Sequence, residues 1–367
     1  MHHTEFRLPI LFLILMLLCG AFPSPCCAES ILNQGGSESD GLIPDYWFPE
    51  LERGVREINL ALMNAGSSKS AFLFYTDAHW NSSAQRSPAL LKYLYEHTGM
   101  TKTFFGGDIV VTEGNAYSVM SYLWDWRRQV KALPNHHSVV GNHDDGNTID
   151  HLFDEDYVYG YLLAAEETPD IVRGDSGLYY YIDSPAEKTR YIFLDTAFQS
   201  IAYSPEQTRF LVSALASVQK TWHIVVIAHE WYDLPAGHSD SAVPELTPSG
   251  QLVLDALDAY NLRRSGLLRT YTPEGKQVNV PYDFSDCKGK AAFCIGGHLH
   301  IDFDGQSRRG IPVILLETDS WQVRSGLPFA LGTVSESAVS GVIADYEAGT
   351  VTIVRVGRGR NRIIPLP

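Results

Sequence analysis

Residues 71–80 read AFLFYTDAHW: five apolar or aromatic positions, then Thr76, and then Asp77 and His79 one residue apart. A short continuous apolar run that ends abruptly in polar residues fits a strand covered on both faces, with its functional groups in the loop beyond it. The pattern recurs along the chain: TKTFFGGD (101–108), HSVVGNHDD (137–145), YIFLDT (191–196), HIVVIAHE (223–230), AAFCIGGHLH (291–300) and IPVILLETD (311–319). Helical periodicity is predicted from Pro49 to Asn64 and near Ser87–His97, Tyr117–Leu133, Pro205–Gln219 and Gly250–Leu262. Strands alternating with helices predict an α/β layered architecture. The last stretch, VSGVIADYEAGTVTIVRVG (339–357), predicts a hairpin around Glu347-Ala348-Gly349.

The strand ends hold the informative residues. Asp77 and His79 follow the first run, Asp108 the second, Asn142 and His143 the third, His229 the fifth, and His298 and His300 the sixth. In an open α/β sheet the loops beyond the carboxyl ends of the strands meet at one edge, so groups far apart in sequence can converge there. Singly, each piece has a plain reading. Gly-Asn-His-Asp is good turn chemistry, and a lone histidine after a strand is usually an ordinary surface or core residue. His-x-His is a stronger signal, because alternate residues face one way and can grip one ion. Together the seven groups offer carboxylate and amide oxygen and imidazole nitrogen, with no sulfur. That donor set suits Mn, Fe or Zn better than Ca, and it is too large for one tetrahedral ion. Two cations held close together need a shared carboxylate. The glycines before Asp108, Asn142 and His298 allow sharp turns and close backbone approach.

Asp-x-His, Gly-Asp, Gly-Asn-His-Asp, a lone histidine after a strand and Gly-His-x-His, in that order from Asp77 to His300, resemble the signature of the calcineurin-like metallophosphoesterase superfamily. The resemblance implies a four-layer αββα sandwich, two mixed β-sheets flanked by helices. It implies that Asp77, His79 and His300 hold one metal, that Asn142, His229 and His298 hold a second, and that Asp108 bridges them. His143 matches the family's non-ligand histidine, which contacts the phosphate and protonates the leaving oxygen. The implied chemistry is hydrolysis of a phosphomonoester or phosphodiester by a metal-bridging hydroxide. Some branches carry an aspartate three residues after the bridging one to orient the acid. Here that position is Val111, which leaves Asp144 or Glu113 as candidate partners and excludes the tyrosinate-iron branch. A non-catalytic protein that binds a phosphorylated ligand on the same fold is the alternative, and a metal-dependent amidohydrolase is a third reading.

The bulk of the chain narrows the setting. It has 367 residues and a formal net charge of -15, so a sequence-independent grip on nucleic acid is not expected. The substrate is expected to be a phosphorylated small molecule or lipid head group. Arg7, the apolar run 8–19 and the segment ending at Ala28 read as a signal peptide, with residues 29–45 as a flexible leader and 46–367 as one domain. The apolar run is short for a membrane span, so an exported protein with no stable span after cleavage is expected. Removal of residues 1–28 would leave Cys287 and Cys294, for which a disulfide and two buried thiols are both open. His136, His137, His238, Arg358 and Arg360 read as surface or structural residues, and Trp80, Trp231 and Tyr232 as core. The oligomeric state has no sequence signal.

Overall fold

The computed structural model describes residues 43–80, 86–110, 116–144, 155–163, 170–197, 202–219, 221–235 and 243–367. The segments read as signal peptide and most of the leader, together with Val111, Glu113 and His238, lie outside the described residues. The described residues from Ile43 to Pro367 belong to one compact unit.

Two mixed sheets form its centre. In the first, β1 (Lys69–Tyr75) pairs in parallel with β2 (Thr103–Phe105), and β2 in parallel with β3 (His136–Ser138). On the other side of β1 lies β15 (Ala338–Asp345), antiparallel, followed by β16 (Thr350–Gly357) and β17 (Arg362–Pro365). The β15–β16 pair is the expected hairpin; Gly349 supplies the positive φ of 68° at its turn.

The second sheet runs β13 (Phe303–Gln306), β14 (Pro312–Leu315), β12 (Lys290–Gly296), β7 (His223–Ala228), β6 (Thr189–Leu194), β5 (Tyr180–Ser184) and β4 (Ile171–Arg173). Its four central strands are parallel, so their carboxyl ends share one edge.

Alternation along β7 shows how the layers arise. Val225 and Ile227 enter the core between the sheets, while Ile224, Val226 and Ala228 enter a second core beneath the helices. Aromatic rings close the seam between the sheets: Phe104 meets Phe193 edge-on at 5.2 Å and Phe72 meets Tyr191 at 5.8 Å. Helices α1 (Phe48–Asn64) and α2 (Ser87–His97) pack on the first sheet, with Leu51, Ile58, Leu90, Leu91 and Leu94 buried. Between β2 and β3 runs α3 (Ala116–Val130). Helices α4 (Pro205–Ala216) and α5 (Pro248–Asn261) cover the second sheet. The result is a helix–sheet–sheet–helix sandwich, as the resemblance implied.

Several elements were not anticipated, among them the short pair β8 (Tyr232–Asp233) and β9 (Glu245–Leu246) and the edge strands β4, β13 and β17. Another is the β10 (Ser265–Tyr271)–β11 (Gln277–Asp283) hairpin, which stands apart from both sheets. Its two sides are largely exposed, so they lack the apolar run that marks a buried strand. Partial exposure of YYIDS hid β5 in the same way. Cys287 and Cys294 are free thiols, and Cys294 is buried within β12. Among the described residues no helix is long and apolar enough to cross a membrane.

Candidate metal centre

Strands β1, β2 and β3 deliver Asp77, His79, Asp108, Asn142 and His143 to one edge, and β7 and β12 deliver His229, His298 and His300 to the same place. Each chain segment must leave its strand and turn at once. Accordingly Asp77, His79, Asp108, His298 and His300 have positive φ, at 51°, 42°, 58°, 73° and 57°. Left-handed backbone is costly for a residue with a Cβ, and its clustering at five neighbouring side chains is the signature of a constrained site. Ladder-like bonds continue past the strands: the Asp77 amide donates to the Gly107 carbonyl at 2.9 Å and the His79 amide to that of Asp108 at 3.1 Å. The expected close approach at glycine is present. A Cβ on Gly141 would overlap Asp108, and one on Gly297 would overlap Asp77.

Asp77, His79, Asp108 and His300 form one buried group, each offering a donor atom within 4.8 Å of the others. His79 Nε2 and His300 Nε2 face each other at 3.0 Å, and His300 Nε2 lies 3.2 Å from Asp77 Oδ1. Beside this group His229 Nε2 stands 3.1 Å from Asp108 Oδ2 and 3.9 Å from Asp77 Oδ1. Asn142 Oδ1 and His298 Nδ1 lie 3.0 Å apart, and the His298 amide donates to both oxygens of Asp77. Four of the expected donors, Asp77, His79, Asp108 and His300, thus form the buried group; His229 adjoins it at Asp108, and His298, with Asn142 beside it, is tied to Asp77 through its amide.

Outer contacts fix how the imidazoles face. His229 Nδ1 is 2.7 Å from the Gly106 carbonyl and His300 Nδ1 is 2.5 Å from that of Gln322. A carbonyl holds the Nδ1 proton and turns Nε2 toward the carboxylates, where it can carry a proton or give its lone pair to a cation. His229 Nε2 is buried and sits off the line of a hydrogen bond, although Asp108 Oδ2 is 3.1 Å away. An atom so placed is costly to bury unless a cation or a proton satisfies it. The local charge agrees. Burial disfavours a proton on His229, but Asp108 and Asp77 outweigh it and lift its pKa to about 10. Burial would raise Asp77, yet His229 and His300 hold it down at about 2. Two buried carboxylates thus draw positive charge to one small volume, and the oxygen and imidazole donors there fit a hard or borderline divalent cation.

His143 differs from the other histidines. Its side chain keeps 36% of its exposure, while Nε2 lies 4.0 Å from Asp108 Oδ2 and its ring 5.2 Å from that of His79. Its amide donates to Asp108 Oδ1 at 2.9 Å, which ties the loop to the carboxylate. Asp144 does not serve as the orienting partner of His143 that the sequence offered. Its oxygens accept from the amides of Asp108 (3.1 Å), Ile109 (2.8 Å) and Gly141 (2.8 Å). Asp144 instead clamps the loop after β2 to the loop after β3.

His136 and His137, read as surface or structural, are structural: both are buried in β3, and His136 Nε2 meets the Tyr75 hydroxyl at 2.9 Å. Arg358 is not a solvated end. It is buried, donates to the carbonyls of Ser335, Thr318 and Ser320, and lies 3.6 Å from Glu317 Oε1. Thr318 in turn donates to the Asp77 carbonyl at 2.9 Å, and the Asp319 amide donates to the Thr76 carbonyl. The polar Glu317-Thr318-Asp319 that ends the seventh apolar run was the available signal for this support. Trp80, Trp231 and Tyr232 are core, as expected, with Trp80 Nε1 donating to Asp125 at 2.9 Å. Asp233 had no sequence signal; its Oδ1 lies 3.6 Å from His298 Nε2.

No family model and no curated protein matches this sequence. Among solved structures the chain is similar to a dimetal phosphatase from Danio rerio, at 13% identity and a TM-score of 0.50, over 81% of this chain and 99% of that one. At that identity the likeness speaks for architecture. The protein shares the fold of that dimetal phosphatase and has a buried Asp-His-Asp-His group where its strands end.

Proposed function

We propose that the protein is a metal-dependent phosphoesterase, acting outside the cytoplasm on a phosphomonoester or phosphodiester. One observation carries the reading: Asp77, His79, Asp108 and His300 form a buried group of oxygen and imidazole donors, with His229 Nε2 beside Asp108. Asp77, His79 and His300 would hold one ion and Asn142, His229 and His298 a second, with Asp108 shared. Mn, Fe and Zn all suit the donors. When bound, the ions supply a lowered pKa for water and neutralise phosphate oxygens as charge shifts.

The chain's own residues do the rest. His143 is the accessible imidazole of the cluster, placed to hold a proton at its ring nitrogen and deliver it to the leaving oxygen. The strained turns at the five left-handed residues keep the donors aimed without the ligand, which lowers the reorganisation required during reaction. Substrate would approach from the side on which His143 and Asp233 are exposed. A phosphorylated small molecule or a lipid head group fits this reading; an apolar-run signal peptide at residues 1–28 supports export.

The test is hydrolysis of aryl phosphate mono- and diesters with Mn, Fe or Zn added, against Asp108→Asn. Turnover in the wild type and loss of at least about 100-fold in the variant is expected, the scale of a removed ligand. Turnover equal to the variant's with every metal overturns the enzyme reading, and phosphate binding without turnover points to a phospho-ligand-binding protein on this fold. Mature protein starting near Glu29 outside the cytoplasm is the result expected for export, and Met1 in the membrane fraction the result against it.

A further inference from the structure

On another face of the molecule, α5, the β10–β11 hairpin and the turn before β14 enclose a groove of about 710 Å³. That volume is in the range of sites for nucleotide-sized molecules. Four arginines line it: Arg264 and Arg269 from the hairpin side, Arg308 and Arg309 from the turn. All four are exposed. On a chain of net charge -15, four cations on one groove are a local reversal of sign.

The chain neutralises them only in part. Among the described residues, Arg264, Arg269 and Arg308 make no side-chain hydrogen bond or ion pair, and Arg309 lies near Asp258. Asp255 and Asp258 also line the groove, so four cations face two carboxylates there. Asp258 Oδ1 accepts from the Ser307 hydroxyl at 2.7 Å and Asp255 Oδ1 from Gln251 Nε2 at 2.8 Å. The excess of positive charge favours an anion in the groove. Guanidinium groups present planar pairs of donors that match phosphate oxygens. Tyr282 and Leu267 add a half-buried ring and an apolar wall to the same groove.

The groove is separate from the metal centre. Strands β12 and β14 are parallel; His298 follows the end of β12, whereas Arg308 and Arg309 precede the start of β14. The arginine turn therefore sits at the opposite end of the strands.

We infer that this arginine-lined groove is a second binding site, for a small polyanion carrying two or more phosphate groups. The inference does not depend on the metal centre being catalytic.

Calorimetric titration of the full chain with inorganic tripolyphosphate tests it, with Asp108→Asn and the double variant Arg264→Gln/Arg308→Gln run in parallel. Both arginines are exposed, so the double variant is expected to keep the wild-type circular dichroism and melting temperature. The expected result is binding that weakens as salt rises, survives Asp108→Asn, and falls at least about tenfold in the double variant, as loss of charged hydrogen bonds requires. No binding by the wild type overturns the inference. So does binding that Asp108→Asn abolishes and the arginine variant leaves intact, which would place the polyanion at the metal centre alone. A change in ester turnover with no change at the groove would bear on the proposed function only.

Discussion

At the scale of single residues, the donors were legible and their supports were not. Asp77, His79, Asp108 and the histidines could be picked out because each interrupts an apolar run with a group that has no reason to lie beside a core. Asp144 shows the limit. Its position after Gly-Asn-His marked it as interesting, but which atoms it would touch depends on the loop after β2, 35 residues earlier. It accepts three buried backbone amides, from Asp108, Ile109 and Gly141. Asp144→Ala leaves all three without an acceptor, at about 1–3 kcal/mol each. We expect Asp144→Ala to lower unfolding free energy by at least about 3 kcal/mol and to weaken metal binding at least about tenfold. Asp144→Asn, which keeps one accepting oxygen, should lose less of both. Denaturant unfolding and metal titration measure the pair. An Asp144→Ala variant as stable as wild type would show that the clamp carries no stability.

At the scale of elements, the question is what joins the two sheets. Aromatic residues from both were visible as runs, but their pairing was not. One contact at the far end from the metal centre has a pH signature. His223, the first residue of β7, stacks on Tyr346 at the end of β15, with ring centroids 3.6 Å apart. Burial, and then the nearby Lys290, depress its pKa to about 4. The unfolded chain binds the proton more readily than the folded one, since an ordinary histidine titrates near 6.5. The contribution is therefore present above pH 6.5 and is lost as pH falls from 6.5 through 4. His223→Phe keeps a ring on Tyr346 and removes the titration. Urea midpoints measured between pH 7 and pH 4 should fall more steeply for wild type than for His223→Phe. Parallel curves would show that the imidazole stays solvated enough to titrate normally.

The same scale explains Arg358. Its place near the chain end, in a run with Arg360, reads as solvated polypeptide. The β15–β16 hairpin carries it back under the loop that follows β14, where Glu317 and three carbonyls receive it. A buried charge of this kind is invisible in sequence because its partners lie 23 to 41 positions away.

At the scale of the whole molecule, the candidate metal centre is a site that two sheets share. Asp77, Asp108 and Asn142 come from the first sheet, and His229, His298 and His300 from the second. An ion bound there holds the sheets together and binds the folded state alone. We expect added Mn at 100 times its dissociation constant to raise unfolding free energy by about 2.7 kcal/mol, and Asp108→Asn to abolish most of that gain. Thermal melts with and without metal check this; an equal gain in the variant would place the ion elsewhere.

The order of the five blocks, and the apolar runs before them, were enough to determine the architecture and to single out the buried Asp77, His79, Asp108 and His300. A buried strand must be apolar and a ligand must be polar, so the boundary between them is written in the chain itself. The tertiary structure decided the rest: that Asp144 clamps two loops, that Arg358 is buried, that His143 alone among the site's histidines keeps a third of its surface, and that four arginines share one groove. Each of these depends on which surfaces meet across the sandwich, and charged or polar side chains carry no periodicity that records their partners.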